Sequence, residues 1–183
     1  METDRRFITV FILLLLIPVF LFSFQNPVEK AKEFYDKGQY DEALKVFRGI
    51  KRTYPGSDWE MQADFMTALI YEKQEKPAEA EKAYVLIAEK YPKTAAGQEA
   101  YFKIARIRET AGDRQSALAA YKNYLNNYMH GDMRSMALFN MAAIHKDLDE
   151  SKNALKIYNE LLMNYKNDLW MHSWAAIYSG HIY

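Results

Sequence analysis

Apolar and small side chains along this chain fall at helical spacing, and the helices they mark return at a fixed interval. Val28, Ala31, Phe34 and Tyr35 lie on one stripe that stops at Gly38, and Tyr40, Ala43, Leu44, Phe47 and Ile50 lie on a second that stops at Pro55 and Gly56. Such spacing with a glycine or proline stop predicts a helix, a tight turn and a second helix. The same pair is predicted over residues 60–74 with 77–91, 97–111 with 113–128, and 134–148 with 150–165. A step of 37 residues carries Ala43 to Ala80, Ala117 and Ala154, and Ala31 to Ala68, Ala105 and Ala142. It also joins Phe47, Tyr84, Tyr121 and Tyr158, then Tyr54, Tyr91, Tyr128 and Tyr165. Ile70, Ile107 and Ile144 hold for three units before His181 breaks the column. A period of this length without insertion predicts an all-α solenoid, in which each unit buries its apolar face against its neighbours. The alanines mark close helix crossings, and the aromatic one turn later fills the space between units.

Ahead of the repeats, residues 7–24 form an uncharged apolar run interrupted only by Thr9, Pro18 and Ser23. As a helix it would extend roughly 27 Å, close to the ~30 Å hydrocarbon core of a bilayer. The run is longer than a typical signal core, and Ser23 with Leu21 makes a poor cleavage site, so a retained single-pass anchor is favoured over a cleaved secretory signal. Arg5 and Arg6 favour a cytoplasmic N-terminus, which places the repeats on the extracytoplasmic side. The predicted organisation is a membrane segment at 1–26 and repeats at 27–59, 60–96, 97–133 and 134–170, with a partial fifth at 171–183.

Half of the 183 residues are apolar, which permits a substantial core, and the formal net charge is zero. Neutrality argues against a nucleic-acid partner. With no cysteine there are no disulfides, thiolate metal sites or thiol chemistry. No phosphate-binding loop, dinucleotide fingerprint, nucleophile elbow or zinc-protease motif is present, and no catalytic, cofactor or metal site is expected. The histidines His130, His145, His172 and His181 read as surface or interface residues rather than metal ligands. Acidic pairs such as Asp41 with Glu42, and Asp149 with Glu150, sit where second helices start and suit the positive end of the helix dipole.

The segment 38–47, GQYDEALKVF, resembles the tetratricopeptide repeat, as do the alanine and aromatic columns and the prolines Pro55 and Pro92. The period of 37 exceeds the common 34 and is similar to the repeats of bacterial envelope proteins, such as the Tol-Pal coordinator and the repeat lipoprotein of outer-membrane barrel assembly. Two departures are the missing lipidation cysteine, and Met129 and Lys166 in place of proline. The resemblance implies a right-handed α-solenoid of helix-turn-helix repeats, without catalytic activity, that binds a partner peptide or helix in a concave groove lined by first helices. By register the groove positions are Lys32, Tyr35 and Asp36; Gln62, Phe65, Leu69, Glu72 and Lys73; Glu99, Phe102, Arg106 and Glu109; and Met136, Phe139, Ala143 and Lys146. Phe65, Phe102 and Phe139 recur at the full step, either as an exposed aromatic ladder or as rings packed against neighbouring first helices. The implied partners are proteins of the cell envelope.

Residues 171–183 supply a fifth first helix with Trp174, Ile177, Tyr178 and Ile182 as its apolar side. Either it caps the fourth unit, or it mediates self-association of a structural subunit. The loop at 129–133, MHGDM, breaks the proline pattern and carries no assigned role.

Overall fold

A computed structural model describes residues 26–180. The predicted membrane segment, His181 and Ile182 lie outside these residues. Among the described residues no helix is long and apolar enough to cross a membrane.

The described residues are helical, with no strand among them. In order they are α1 (Pro27–Asp36), α2 (Tyr40–Thr53), α3 (Asp58–Lys73), α4 (Pro77–Lys90), α5 (Ala95–Thr110), α6 (Arg114–Asn127), α7 (Arg134–Asp147), α8 (Ser151–Asn164) and α9 (Leu169–Gly180). They pair as first and second helices: α1 with α2, α3 with α4, α5 with α6, and α7 with α8, leaving α9 as a further first helix. The chain divides into two compact units, one ending at Ala63 and the other beginning at Asp64.

The second helices are the regular element, since α2, α4, α6 and α8 are each 14 residues long and start 37 apart. Their common start has a backbone cause. At the end of each preceding first helix an N–H reaches back five residues, from Gln39 to Phe34, Lys76 to Tyr71, Asp113 to Arg108 and Glu150 to His145. This is the helix-ending motif that needs a left-handed residue just before the donor. Gly38 and Gly112 fill that position in two repeats, while Glu75 and Asp149 adopt the same positive φ in the other two. The turn is therefore kept where its glycine is lost.

In the first unit α1 packs on α2 and buries Val28, Ala31, Ala43, Leu44, Phe47 and Ile50. In the second unit one core runs from Ala68 to Ile144, and a second joins α7, α8 and α9 through Leu138, Ala142, Ala154, Tyr158, Leu161, Met171 and Ala175. All eight residues of the two alanine columns are 0% exposed. Phe47, Tyr84, Tyr121 and Tyr158 are equally inaccessible, as close crossings beside a large ring require.

The first helices vary, and their N-caps explain how. Ser57, Thr94 and Asp168 share one register position, that of Gly131, and accept the N–H groups of Glu60, Gly97 and Met171. The equivalent residue between α6 and α7 is Gly131, which has no side chain, and α7 starts two residues late in the register. A different group takes over there. Tyr124, where other repeats have Ile50, Ile87 or Leu161, accepts the Met133 N–H at 3.2 Å and a Gln98 amide hydrogen at 3.0 Å. The loop 129–133 is thus packed on a buried phenol.

Candidate partner-binding face

The face carried by the first helices of the second unit is built from residues that recur at the repeat step. Phe65 sets its ring edge against Tyr84 at 5.9 Å, Phe102 against Tyr121 at 5.7 Å and Tyr124 at 5.9 Å, and Phe139 against Tyr158 at 5.9 Å. Each ring lies on the second helix of its own repeat. Phe102 is only 4% exposed, and Phe65 and Phe139 are half-buried. The aromatic column mainly supports the face from beneath.

What the face offers above those rings is polar. In the third repeat the Tyr121 hydroxyl donates to Glu109 Oε2 at 2.6 Å and accepts from Asn140 Nδ2 at 2.8 Å, which ties α5, α6 and α7 together. Burial first, and the Glu109 carboxylate second, push the Tyr121 pKa up, so the phenol keeps its proton and remains the donor. One repeat earlier, Glu72 accepts from Lys103 Nζ at 2.9 Å, and the ammonium lies 6.0 Å from the Tyr84 ring centre. One repeat later the sign changes: Lys146 stands where Glu72 and Glu109 stood, and its Nζ lies 4.8 Å from the centre of the Tyr178 ring. The Tyr158 hydroxyl is buried there without a hydrogen-bond partner, and burial raises its pKa to about 12.

The remaining groove candidates spread over this face and beyond it. Arg106 and Lys73 are exposed, Leu69 and Glu99 are half-buried, and Met136 is 41% exposed. A cavity of about 280 Å³ adjoins Glu72, Lys76, Lys103, Arg106, Ile107 and Thr110. Tyr35 and Gln62 belong to the first unit, where Tyr35 packs its ring against Tyr40 at 5.8 Å and Gln62 is exposed. On α9, Trp174 is 37% and Ile177 50% exposed, while Tyr178 is half-buried between Phe139, Tyr158 and Trp174. Trp170, absent from the sequence-based set, is 59% exposed and packs near Trp174 at 5.9 Å. Helix α9 contains no Asp, Glu, Lys or Arg.

Two polar features escaped the reading of the sequence. His145 is not a surface residue: it is 8% exposed, and its Nδ1 lies 2.6 Å from Glu150 Oε2, across the turn between α7 and α8. Helical spacing alone gives no reason to pair residues on either side of a chain reversal. The Glu109–Tyr121–Asn140 network could not be read from the repeat step, because the equivalent positions Glu72, Tyr84 and Lys103 replace the amide with an ammonium and Glu72 pairs with Lys103 instead. No group of three or more His, Cys, Asp or Glu able to hold a metal ion occurs among the described residues.

Solved structures with the same arrangement share little sequence with this chain. Nearly identical TPR-like repeats from Podosopora anserina superpose with a TM-score of 0.63 at 12% identity, covering 86% of this chain and 83% of that one. A tetratricopeptide repeat protein from Parabacteroides merdae gives 0.63 at 20% identity over 76% of this chain and 53% of its own. MamA gives 0.57 at 13% identity over 83% and 91%. At these identities the likeness is one of fold. No curated protein sequence matches the chain. The family model for the tetratricopeptide repeat matches residues 21–57, 62–94 and 99–128, more than half of the sequence, so this chain belongs to the tetratricopeptide repeat family.

Proposed function

We propose that this protein is a non-catalytic scaffold whose first-helix face, from Phe65 to Lys146, binds an extended segment or a helix of a protein partner. The observation that carries this reading is the unequal pairing of charge on that face. Of the acids among these groove positions Glu72 and Glu109 are engaged by Lys103 and Tyr121 and Glu99 is left without an ion pair, whereas three cations, Lys73, Arg106 and Lys146, have no ion-pair partner among the described residues. Solvated cations above a packed aromatic layer can form charge-assisted bonds once a partner excludes water. The apolar run at 7–24 supports a membrane-anchored protein with its repeats on the extracytoplasmic side, where its partners are envelope proteins.

A second reading rests on α9, whose exposed Trp170, Trp174 and Ile177 lie on a helix without charges. Such a face can pair with a second copy at no electrostatic cost.

One experiment separates the two. Photocrosslinking groups at Arg106 and Met136 should capture the same partner in cells, while groups on the second helices at Leu86 and Lys122 should not. Arg106→Glu with Met136→Glu should remove that product and leave the sedimentation coefficient unchanged. If instead Trp174→Glu shifts sedimentation to a smaller species and the crosslinks run between copies of this chain, the self-assembly reading replaces the first.

A further inference from the structure

The turn from α3 to α4 and the later half of α5 border the cavity of about 280 Å³. Two short side chains leave it open. Pro77 and Thr110 line it, and one step on in the register their places are taken by Arg114 and Asp147, which pair at 3.7 Å. That ion pair bridges the equivalent positions of the next repeat, where Asp113 and Ala143 also replace Lys76 and Arg106. The charges around the cavity are unevenly used. Lys103 is committed to Glu72 at 2.9 Å, and its Nζ lies 6.0 Å from the Tyr84 ring centre. Lys76 Nζ donates to a neutral acceptor, Gln74 Oε1, at 3.1 Å. Arg106 has no ion-pair partner among the described residues, and Glu109, three residues on, is held by the Tyr121 hydroxyl. Of the lining acids, Glu75 is exposed and has no ion pair among the described residues. With Lys103 and Glu72 satisfied by each other, Lys76 and Arg106 stand against Glu75 alone, which leaves a surplus of one positive charge.

Resting on the reading that this face binds a protein partner, we propose that this cavity takes one acidic side chain of that partner, an Asp or Glu, whose carboxylate pairs with the Arg106 guanidinium. The volume lies just below the ~300 Å³ at which pockets for drug-sized ligands begin, so it suits a side chain carried on a longer segment rather than a free small molecule. A guanidinium presents a planar fork that a carboxylate matches with two parallel hydrogen bonds. Pro77 and Ile107 supply apolar wall, and a partner laid over the cavity excludes the water that now screens Arg106, which strengthens the pair. The surplus of one positive charge matches a single carboxylate. A doubly charged phosphate would leave one charge unmatched beside Glu75, and an amide would leave the surplus unanswered.

A random dodecapeptide library displayed on phage, panned on the full chain, tests the site. The expected binders share one Asp or Glu, and changing that residue to its amide weakens binding about tenfold or more. The same change should cost nothing further on a chain carrying Arg106→Gln, because the pair is already broken. Pro77→Arg with Thr110→Asp, which installs the ion pair of the next repeat, should close the cavity and weaken the acidic peptide as much as its own amide change does. The peptide change leaves the protein untouched, so the result does not hang on any variant folding. An acid-to-amide loss that persists in full on Arg106→Gln would place the carboxylate elsewhere and overturn the proposal. Binders weakened by Met136→Glu but indifferent to Arg106→Gln and to the filled cavity would also overturn it, and would leave the face reading standing. Binders indifferent to all of these changes, or no binders at all, would remove both.

Discussion

The connection from Tyr91 to Gly97 and the connection from Tyr128 to Arg134 do the same topological job by different means. The first is closed locally: Thr94 accepts the Gly97 N–H, and Gly97 lies so close to the Tyr91 carbonyl that a methyl group there would overlap backbone. The second has Gly131 at the cap position, and its closure comes from the Tyr124 hydroxyl, with Arg134 Nη1 bonded to the Leu125 carbonyl at 3.0 Å. A methyl group at Gly131 would meet the far ends of the Tyr124 and Gln98 side chains rather than backbone. The difference teaches that a helix start can be specified by a residue beside it or by a buried residue of the preceding helix. The second route costs the helix its first two residues.

The largest effect expected from this contrast lies at the two glycines. Gly97→Ala should cost about 3 kcal/mol in chemical denaturation, because backbone must move, while Gly131→Ala should cost about 1 kcal/mol, because only side chains give way. Equal costs would show that the two connections are closed alike. A smaller effect is expected at the caps. Thr94→Ala should lose about 1 kcal/mol, and the double change Gly131→Ser with Tyr124→Ile should recover more stability than the sum of the two single changes, since it rebuilds the local cap after clearing space for it. Additive losses would mean that Tyr124 plays no part in closure.

The smallest effect concerns pH. Asp113 caps α6 through the Ser116 N–H at 3.1 Å, and the Ser116 hydroxyl first, then that N–H, hold its carboxyl below the usual value of 3.8. A depressed folded pKa gives stability that is present above the unfolded value and lost as pH falls through the folded one. Acid titration of Tm should therefore show a loss below about pH 4 that Asp113→Asn flattens. Thr94→Ala should leave the shape of that profile unchanged, because a hydroxyl cap does not titrate there.

Much of the fold could be read directly from spacing. The alanine columns, the tyrosine column and the starts of the second helices all follow the step of 37, and the helix bounds agree with expectation to within two residues. The shift of α3 and α5 toward earlier starts, at Asp58 and Ala95, follows from Ser57 and Thr94 acting as caps. The candidate site was less legible. The register placed Glu109, Arg106 and Lys146 on first helices, but the burial of Phe102 and the pairing of Glu72 with Lys103 depend on how closely adjacent helices approach.

The sequence by itself determined the period, the helix pairs and the alternation of small and large core positions, because burial at fixed angular intervals is a local property of a helix. Only the tertiary structure decided which polar groups meet. Tyr84, Tyr121 and Tyr158 are one residue type in one column, and what their hydroxyls find is set by side chains twelve residues before and nineteen after, on helices that touch only once the repeats have stacked.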